Sequence, residues 1–492
     1  MNKKSPKENS VMKKYLNFNF RTRHAGISAL MSITALAVLI ILNILAGELD
    51  VKADLTPKKL YSLTGDSLEF IEKLEKPVEI IALFEPGNEP EDLMEAVREY
   101  ERRSPSISVS VIDPDRNPGL LAKYTEGEEK TSRGSFIVSS GNQFRIIPAM
   151  NMYDISYGAQ GRPQNMGFKA EQQLTSAIAY VTTGRTPKIY EISGHREKPL
   201  AALGYGAPLA QSNYVLSDIS LVLSDIPEDT ALLTLIGPRS DLSQAEADKI
   251  NEYLENGGAL LAALDLSAES FPVLFDLLKN WNIDVRPGLV IETRANRLIA
   301  EFGDNPFVFA PYFTDHEILK PLKEGKLNPV FQASLGFQPT AVSRQNLEYR
   351  PVLQSSEDSR IRMDLQSEAS GNPAVIPGDE KGPIDVAATV RQRNMDTYAY
   401  EGAAIAVLGS ASTLEGLGYL GKIKANADLL IGLVNWAVGE ETVINVPSKS
   451  TFRLPLNIGN VNSIIYAGLT IIIIPLACII AAVMVFYRRR HR

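Results

Sequence analysis

Cysteine is almost missing from this chain of 492 residues: the single one, Cys478, stands in an apolar run near the end. That excludes a disulfide framework, a C-x-x-C redox pair, a cysteine-built zinc site and, before that run, cysteine catalysis. Histidine is nearly as scarce, with four copies. His24 and His491 lie in the tails and His316 is isolated, so no local spacing supports a multi-histidine metal site. No P-loop occurs. Gly204-Tyr205-Gly206 opens like a dinucleotide fingerprint, but Leu209 stands where the third glycine belongs. The chain has no ATP-hydrolysing motor of its own, and neither a cofactor nor a metal is expected.

What is present is an ordinary globular composition, 45% hydrophobic and 22% charged, at a length that predicts two to four domains. Charge is distributed unevenly. Of 50 basic residues, 11 lie in residues 1–24 and 488–492, against one of the 58 acids, Glu8; the stretch between carries 39 and 57, a net of −18. Just inside the basic tails lie two uncharged apolar runs, 26–46 and 464–487, each long enough as a helix to cross a hydrocarbon core of about 30 Å. A cleaved signal peptide is the competing reading of the first, but Ile44-Leu45-Ala46 is a poor cleavage site. Tyr466 and Tyr487 flank the second, and Pro475 predicts a kink that membrane helices tolerate. Basic residues gather on the cytoplasmic side of spanning helices. The expectation is a two-span protein of the plasma membrane with both termini cytoplasmic and residues 47–463 extracytoplasmic. The basic tails then face membrane lipid and not nucleic acid.

Within that central part, Val78 to Phe84 reads as a strand, Glu91 to Arg103 as an amphipathic helix with acids first and bases last, and Ile107 to Ile112 as a second strand. Ser135–Ser139 and Gln143–Pro148, joined at Ser140-Gly141-Asn142, read as a hairpin. A βαβ unit followed by a hairpin predicts a thioredoxin-like αβ domain over 47–160, without the thiols of an oxidoreductase. Strands at 188–192, 231–236, 259–264 and 403–408 alternate with helices, one of which opens with a capping box at Ser243 and Glu246. That alternation predicts an open parallel sheet in a second αβ domain over 161–445, starting with a helix at 170–182. Residues 324–386, polar and without a period, read as an irregular insertion, and 446–463 as a membrane-proximal linker.

The candidate site is Gly194-His195-Arg196-Glu197, directly after a strand. A histidine there can act as a general base, contact a ligand or partner, or merely close a turn. No nucleophile with a local signature accompanies it, so His195, Arg196 and Glu197 are expected as ligand or partner contacts and no catalytic residue is assigned. Asp113-Pro114-Asp115 lacks the spacing of a calcium loop and reads as a turn, and Trp281 and Trp436 as core anchors.

Taken together, these residues resemble the GldG-like family, the gliding-motility-associated auxiliary components of ABC transporters. The resemblance runs through Asp54-Leu55-Thr56 and Leu60-Tyr61-Ser62-Leu63-Thr64 after the first apolar run, then Pro77-Val78, Tyr100, Asp113-Pro114-Asp115 and Asn117-Pro118. It continues with Phe168, Glu171, Leu174 to Ile178 and a G-H-x-E motif at Gly194 to Glu197. Leu235 to Pro238, Glu246, Gly257-Gly258, Gly409-Ser410, Asn426 and Asn435-Trp436 complete it. It implies an accessory subunit that accompanies an ABC ATPase and an ABC-2-type permease, with another extracytoplasmic accessory protein as a further expected partner; the absent P-loop and the large anchored ectodomain independently favour a non-enzymatic binding or assembly role. It also implies an amidotransferase-like module, here without that fold's cysteine nucleophile. Two other readings stay open: an anchored envelope hydrolase using His195 and Glu197, and a structural scaffold for a surface assembly.

Overall fold

The computed structural model describes residues 30–41, 56, 59–124, 133–157, 163–267, 269–325, 327–342, 344–364, 374–397, 399–415, 420–439, 449–450 and 484. Residues 1–59 and 60–492 form separate units. In the first, 30–41 is helical and Leu30, Met31, Leu36 and Leu39 are exposed along it. No helix among the described residues is long and apolar enough to cross a membrane. The second apolar run lies outside the described residues except Met484.

The second unit begins with helix α1 (Gly65–Glu72), capped by the Thr64 hydroxyl, which accepts from the Ser67 amide. Strand β1 (Val78–Leu83) is buried at all positions but one, as a β-branched run in the middle of a sheet should be. Helix α2 (Glu91–Arg103) turns Leu93, Met94, Val97 and Tyr100 inward. Strand β2 (Ile107–Val111) pairs with β1 in parallel, and Asp113 closes the turn beyond it by accepting from the Asp115 amide at 3.0 Å. The hairpin of β3 (Ser135–Ser140) and β4 (Gln143–Pro148) completes a sheet of order β2-β1-β3-β4, with β3 antiparallel to β1. Helix α3 (Ala170–Thr183), expected to open the second domain, instead buries Leu174, Ala177 and Ile178 in the core of this first sheet. The 3.6-residue period gives the face a helix buries, but not which sheet receives it.

The larger sheet contains β5 (Lys188–Ile192), β6 (Val215–Ile219), β7 (Thr230–Ile236) and β8 (Ala259–Ala263), with helix α4 (Gln244–Glu255) between the last two. After helix α5 (Pro272–Asn280) come β9 (Leu347–Gln354), β10 (Asp385–Arg393), β11 (Tyr400–Leu408) and helix α6 (Leu420–Val438). Strands β6-β5-β7-β8-β11 are mutually parallel, so these five in chain order lie 2-1-3-4-5; β10 and β9 extend the sheet antiparallel beyond β11. Alternation along the strands feeds two cores. Leu233, Leu235, Leu260 and Ile405 face α4 and α5, where Trp281 is fully buried with its indole N–H bonded to Asn251. Ile189, Leu232, Leu261 and Ala406 face α6. Trp436 is half-buried against that second core.

The stretch 324–386 is not irregular throughout. It holds β9 and the short strands Gly336–Gln338 and Arg360–Arg362, and β10 starts at its end. The sequence hides β9 because Pro351 interrupts it and the register slips on either side of Leu353, which destroys the two-residue alternation. Beyond α6, Lys449–Ser450 pairs antiparallel with Pro163–Phe168, next to the first sheet's core.

Candidate functional site at the strand ends

In the order 2-1-3-4-5 the connections leave β5 and β7 in opposite directions, which opens a crevice beyond their carboxyl ends. The G-H-x-E motif sits there. Gly194 at φ 132° and Arg196 at φ 61° bend the chain sharply, and left-handed backbone at a non-glycine residue needs outside support. Glu197 supplies it: its Oε2 accepts from the amides of Gly194 at 3.1 Å and His195 at 2.8 Å.

His195 is 6% exposed, and each ring nitrogen faces a carboxylate of its own chain. Nδ1 lies 2.9 Å from Glu197 Oε1 and Nε2 lies 3.2 Å from Glu246 Oε2. A neutral imidazole donates through one nitrogen only, so both contacts are hydrogen bonds when the ring carries both protons. Glu246 Oε2 also closes the capping box of α4, accepting from the Ser243 amide at 2.9 Å and its hydroxyl at 2.8 Å. Burial pushes the Glu246 carboxyl up, but the Ser243 hydrogen bonds and the His195 ring outweigh it and hold the group below the usual glutamate range. Arg196 points outward and is exposed.

A second brace lies beside the first. Lys198 Nζ is 2.8 Å from Asp265 Oδ2, just beyond β8, and also pairs with Glu415 beyond β11. Asp265 Oδ1 accepts from the Ser412 amide at 2.7 Å. Burial opposes the ionisation of Asp265, yet Lys198 and Ser412 hold it below its ordinary value. The Arg239 amide, beyond β7, donates to the His195 carbonyl at 2.8 Å. The loops after β5, β7, β8 and β11 are thus tied together by charged groups already engaged with one another. The crevice beside these braces, lined by β5 and the loop after it, by Asp218 of β6 and by Thr234 and Ile236 of β7, is about 50 Å³, room for a few waters or one small polar group but not for a drug-sized ligand.

Of the expected contacts, His195 and Glu197 come together and Arg196 stands apart. The sequence marks Glu246 as a cap and as part of the family resemblance but not as a partner of His195, and it does not single out Lys198, Arg239 or Glu415. The available signal was position, since each follows a parallel strand within a few residues. His316 is a buried structural residue: its Nδ1 accepts from the Ile318 amide and its Nε2 contacts Thr389 at 2.9 Å. Burial brings it down to about 4. Among the described residues no group of three or more His, Cys, Asp or Glu could hold a metal ion.

A doubly wound α/β domain with its strand-end loops braced by charge is the class that these features define. Residues 186–408 match the family model described as "ABC-type uncharacterized transport system", which bears out the resemblance to a GldG-like auxiliary component of an ABC transporter. Residues 57–151 match "Domain of unknown function (DUF7088)". No curated protein matches the chain. Among solved structures, the mmIFT52 N-terminal domain is 16% identical over 51% of this chain and 98% of its own, with a TM-score of 0.36. A putative ThuA-like protein from Parabacteroides merdae is 11% identical over 56% and 94%, with a TM-score of 0.29.

Proposed function

We propose that the protein is a non-enzymatic, membrane-anchored auxiliary subunit of an ABC-2-type transport complex. It works beside a separate ATPase and permease, and its ectodomain contacts substrate, envelope material or a partner subunit. The match of residues 186–408 to an ABC transport-system family carries this reading. The strand order β2-β1-β3-β4 supports a thioredoxin-like first domain, and the order 2-1-3-4-5 an amidotransferase-like second one. The uncharged runs with basic outer flanks, and the exposed apolar side chains along 30–41, support anchoring at both ends with residues 47–463 extracytoplasmic. The non-enzymatic reading is supported by His195. Both of its ring nitrogens are taken by Glu197 and Glu246, so a hydrolase would first have to break a buried brace to free its base. Exposed Arg196, at the rim of that brace, is the contact offered to a partner.

The test is affinity purification of the tagged full chain from detergent-solubilised membranes, with its companions identified by mass spectrometry. An ABC ATPase and a multispanning permease are expected in stoichiometric yield. Hydrolytic turnover of envelope material by the purified chain, lost in both His195→Gln and Glu197→Gln, would replace this reading with the anchored hydrolase.

A further inference from the structure

The crevice at the ends of β5 and β7 has a floor that the braces do not account for. Register sets Asp218 of β6 directly beside Glu191 of β5, and Glu191 directly beside Thr234 of β7. Neighbours in register project from the same face, so three polar side chains form a row across three parallel strands. The row is out of place: Ile189, Leu232 and Leu261 on that face belong to the core packed by α6. All three polar residues line the crevice. Thr234 is 1% exposed, and its hydroxyl is buried with no hydrogen-bond partner among the described residues. Glu191 is also buried, and its one side-chain hydrogen bond among the described residues is Oε1 accepting from the Leu200 amide at 2.5 Å. Adjacent carboxylates across a sheet repel, and a buried hydroxyl that has lost water without gaining a partner destabilises the fold, so the row is built for an occupant.

We propose that this crevice binds one primary ammonium group, held by the Glu191 carboxylate, the Asp218 carboxylate and the Thr234 hydroxyl. An ammonium head has three donors, and the row offers three acceptors. A divalent metal requires about six oxygens, but both Glu197 oxygens are spent on His195 and on backbone amides, and Glu191 Oε1 on Leu200. Lys198, which also lines the crevice, has its charge met by Asp265 and Glu415, so the lining stays negative. About 50 Å³ admits the head alone, and the rest of the ligand leaves past exposed Asp218. Burial raises the Glu191 carboxyl, as Asp218 does to a smaller degree, and a bound ammonium would relieve both effects. The site does not depend on the transporter reading, and its test reads no transport.

The experiment titrates the detergent-solubilised full chain with methylammonium chloride, followed by thermal unfolding and calorimetry. Sodium, potassium and tetramethylammonium chlorides at equal ionic strength are the controls. Methylammonium should bind saturably and raise Tm, while tetramethylammonium, equally charged but without N–H donors, should not. Thr234→Val, which keeps the shape and removes the hydroxyl, and Glu191→Gln should each weaken methylammonium at least about tenfold. Equal responses to all four cations would overturn the site, as would unchanged binding in both variants. A parent chain that ignores methylammonium while Thr234→Val is merely more stable would show that the crevice holds water only.

Discussion

At the scale of single residues, the charged groups at the strand ends differ in what surrounds them, and pH should separate them. Glu246 and Asp265 are held below their ordinary values by hydrogen bonds and cations that outweigh burial. A carboxylate depressed in the folded state adds stability that is fully present above its unfolded pKa, about 4, and is lost as pH falls through the folded value. The brace should therefore weaken in acid. Glu191 has the opposite sign: burial raises it, so the folded state holds its proton more tightly than the unfolded chain. Its ionisation costs stability as pH rises above about 4.3, and in acid that cost is absent. Glu191→Gln should accordingly raise the urea midpoint at pH 7 and leave it nearly unchanged at pH 4; a loss at pH 7 would contradict the argument. His195→Gln takes a donor from between two buried carboxylates, and should cost about 1–3 kcal/mol of stability by urea titration.

At the scale of elements, two junctions decide how strands meet. Gly409 ends β11 where its amide donates to the Val386 carbonyl and its carbonyl accepts from the Leu335 amide. A Cβ there would overlap the Leu335 carbonyl oxygen and the Ser334 hydroxyl, and the backbone carbonyl cannot rotate away. Gly409→Ala should therefore cost about 1–3 kcal/mol, read as a lowered Tm, although it adds one methyl. The other junction ties residues 62–64, which follow the first apolar run in sequence, to Lys449, which precedes the second. Lys449 pairs with Glu171 at 2.7 Å and reaches the Ser62 carbonyl, while Glu171 Oε1 accepts from the Thr64 amide at 2.6 Å. The pair is buried, with side chains 13% and 6% exposed, and removing one partner strands the other charge. Lys449→Ala should lose about 3–5 kcal/mol locally and speed amide exchange at 60–64 and 163–168, with the larger sheet unaffected. These junctions also mark what the sequence made legible. Strands 78–83, 188–192 and 259–263 carry their evidence in consecutive residues, as does the capping box at Ser243. Glu171 with Lys449, Glu246 with His195, and the row Asp218, Glu191 and Thr234 are joined only by strand order and register, which no local pattern records. The same holds for the sheet that receives α3.

For the whole molecule, the charge distribution carries the last prediction. The tails hold 11 basic residues and the long stretch between them a net charge of −18, with the two uncharged runs at the boundaries. If the runs span the membrane, the basic residues are the determinants of orientation and the acidic part contributes little to it, because long domains translocate largely regardless of charge. The proposed topology then rests on a few side chains on the outer flanks. A reporter active only in the cytoplasm should work when fused at either terminus and be silent when inserted near residue 300. Replacing Arg488, Arg489 and Arg490 with glutamine, and adding lysines on the inner flank after Ser463, should move the C-terminal reporter out of the cytoplasm in part of the population. The N-terminal reporter should stay active. The second run would then lie outside the bilayer or be inverted, and Lys449, upstream of it, would show whether the stem clamp resists. Strong cytoplasmic activity near residue 300 in the unaltered chain would refute the two-span arrangement, whatever the variants do.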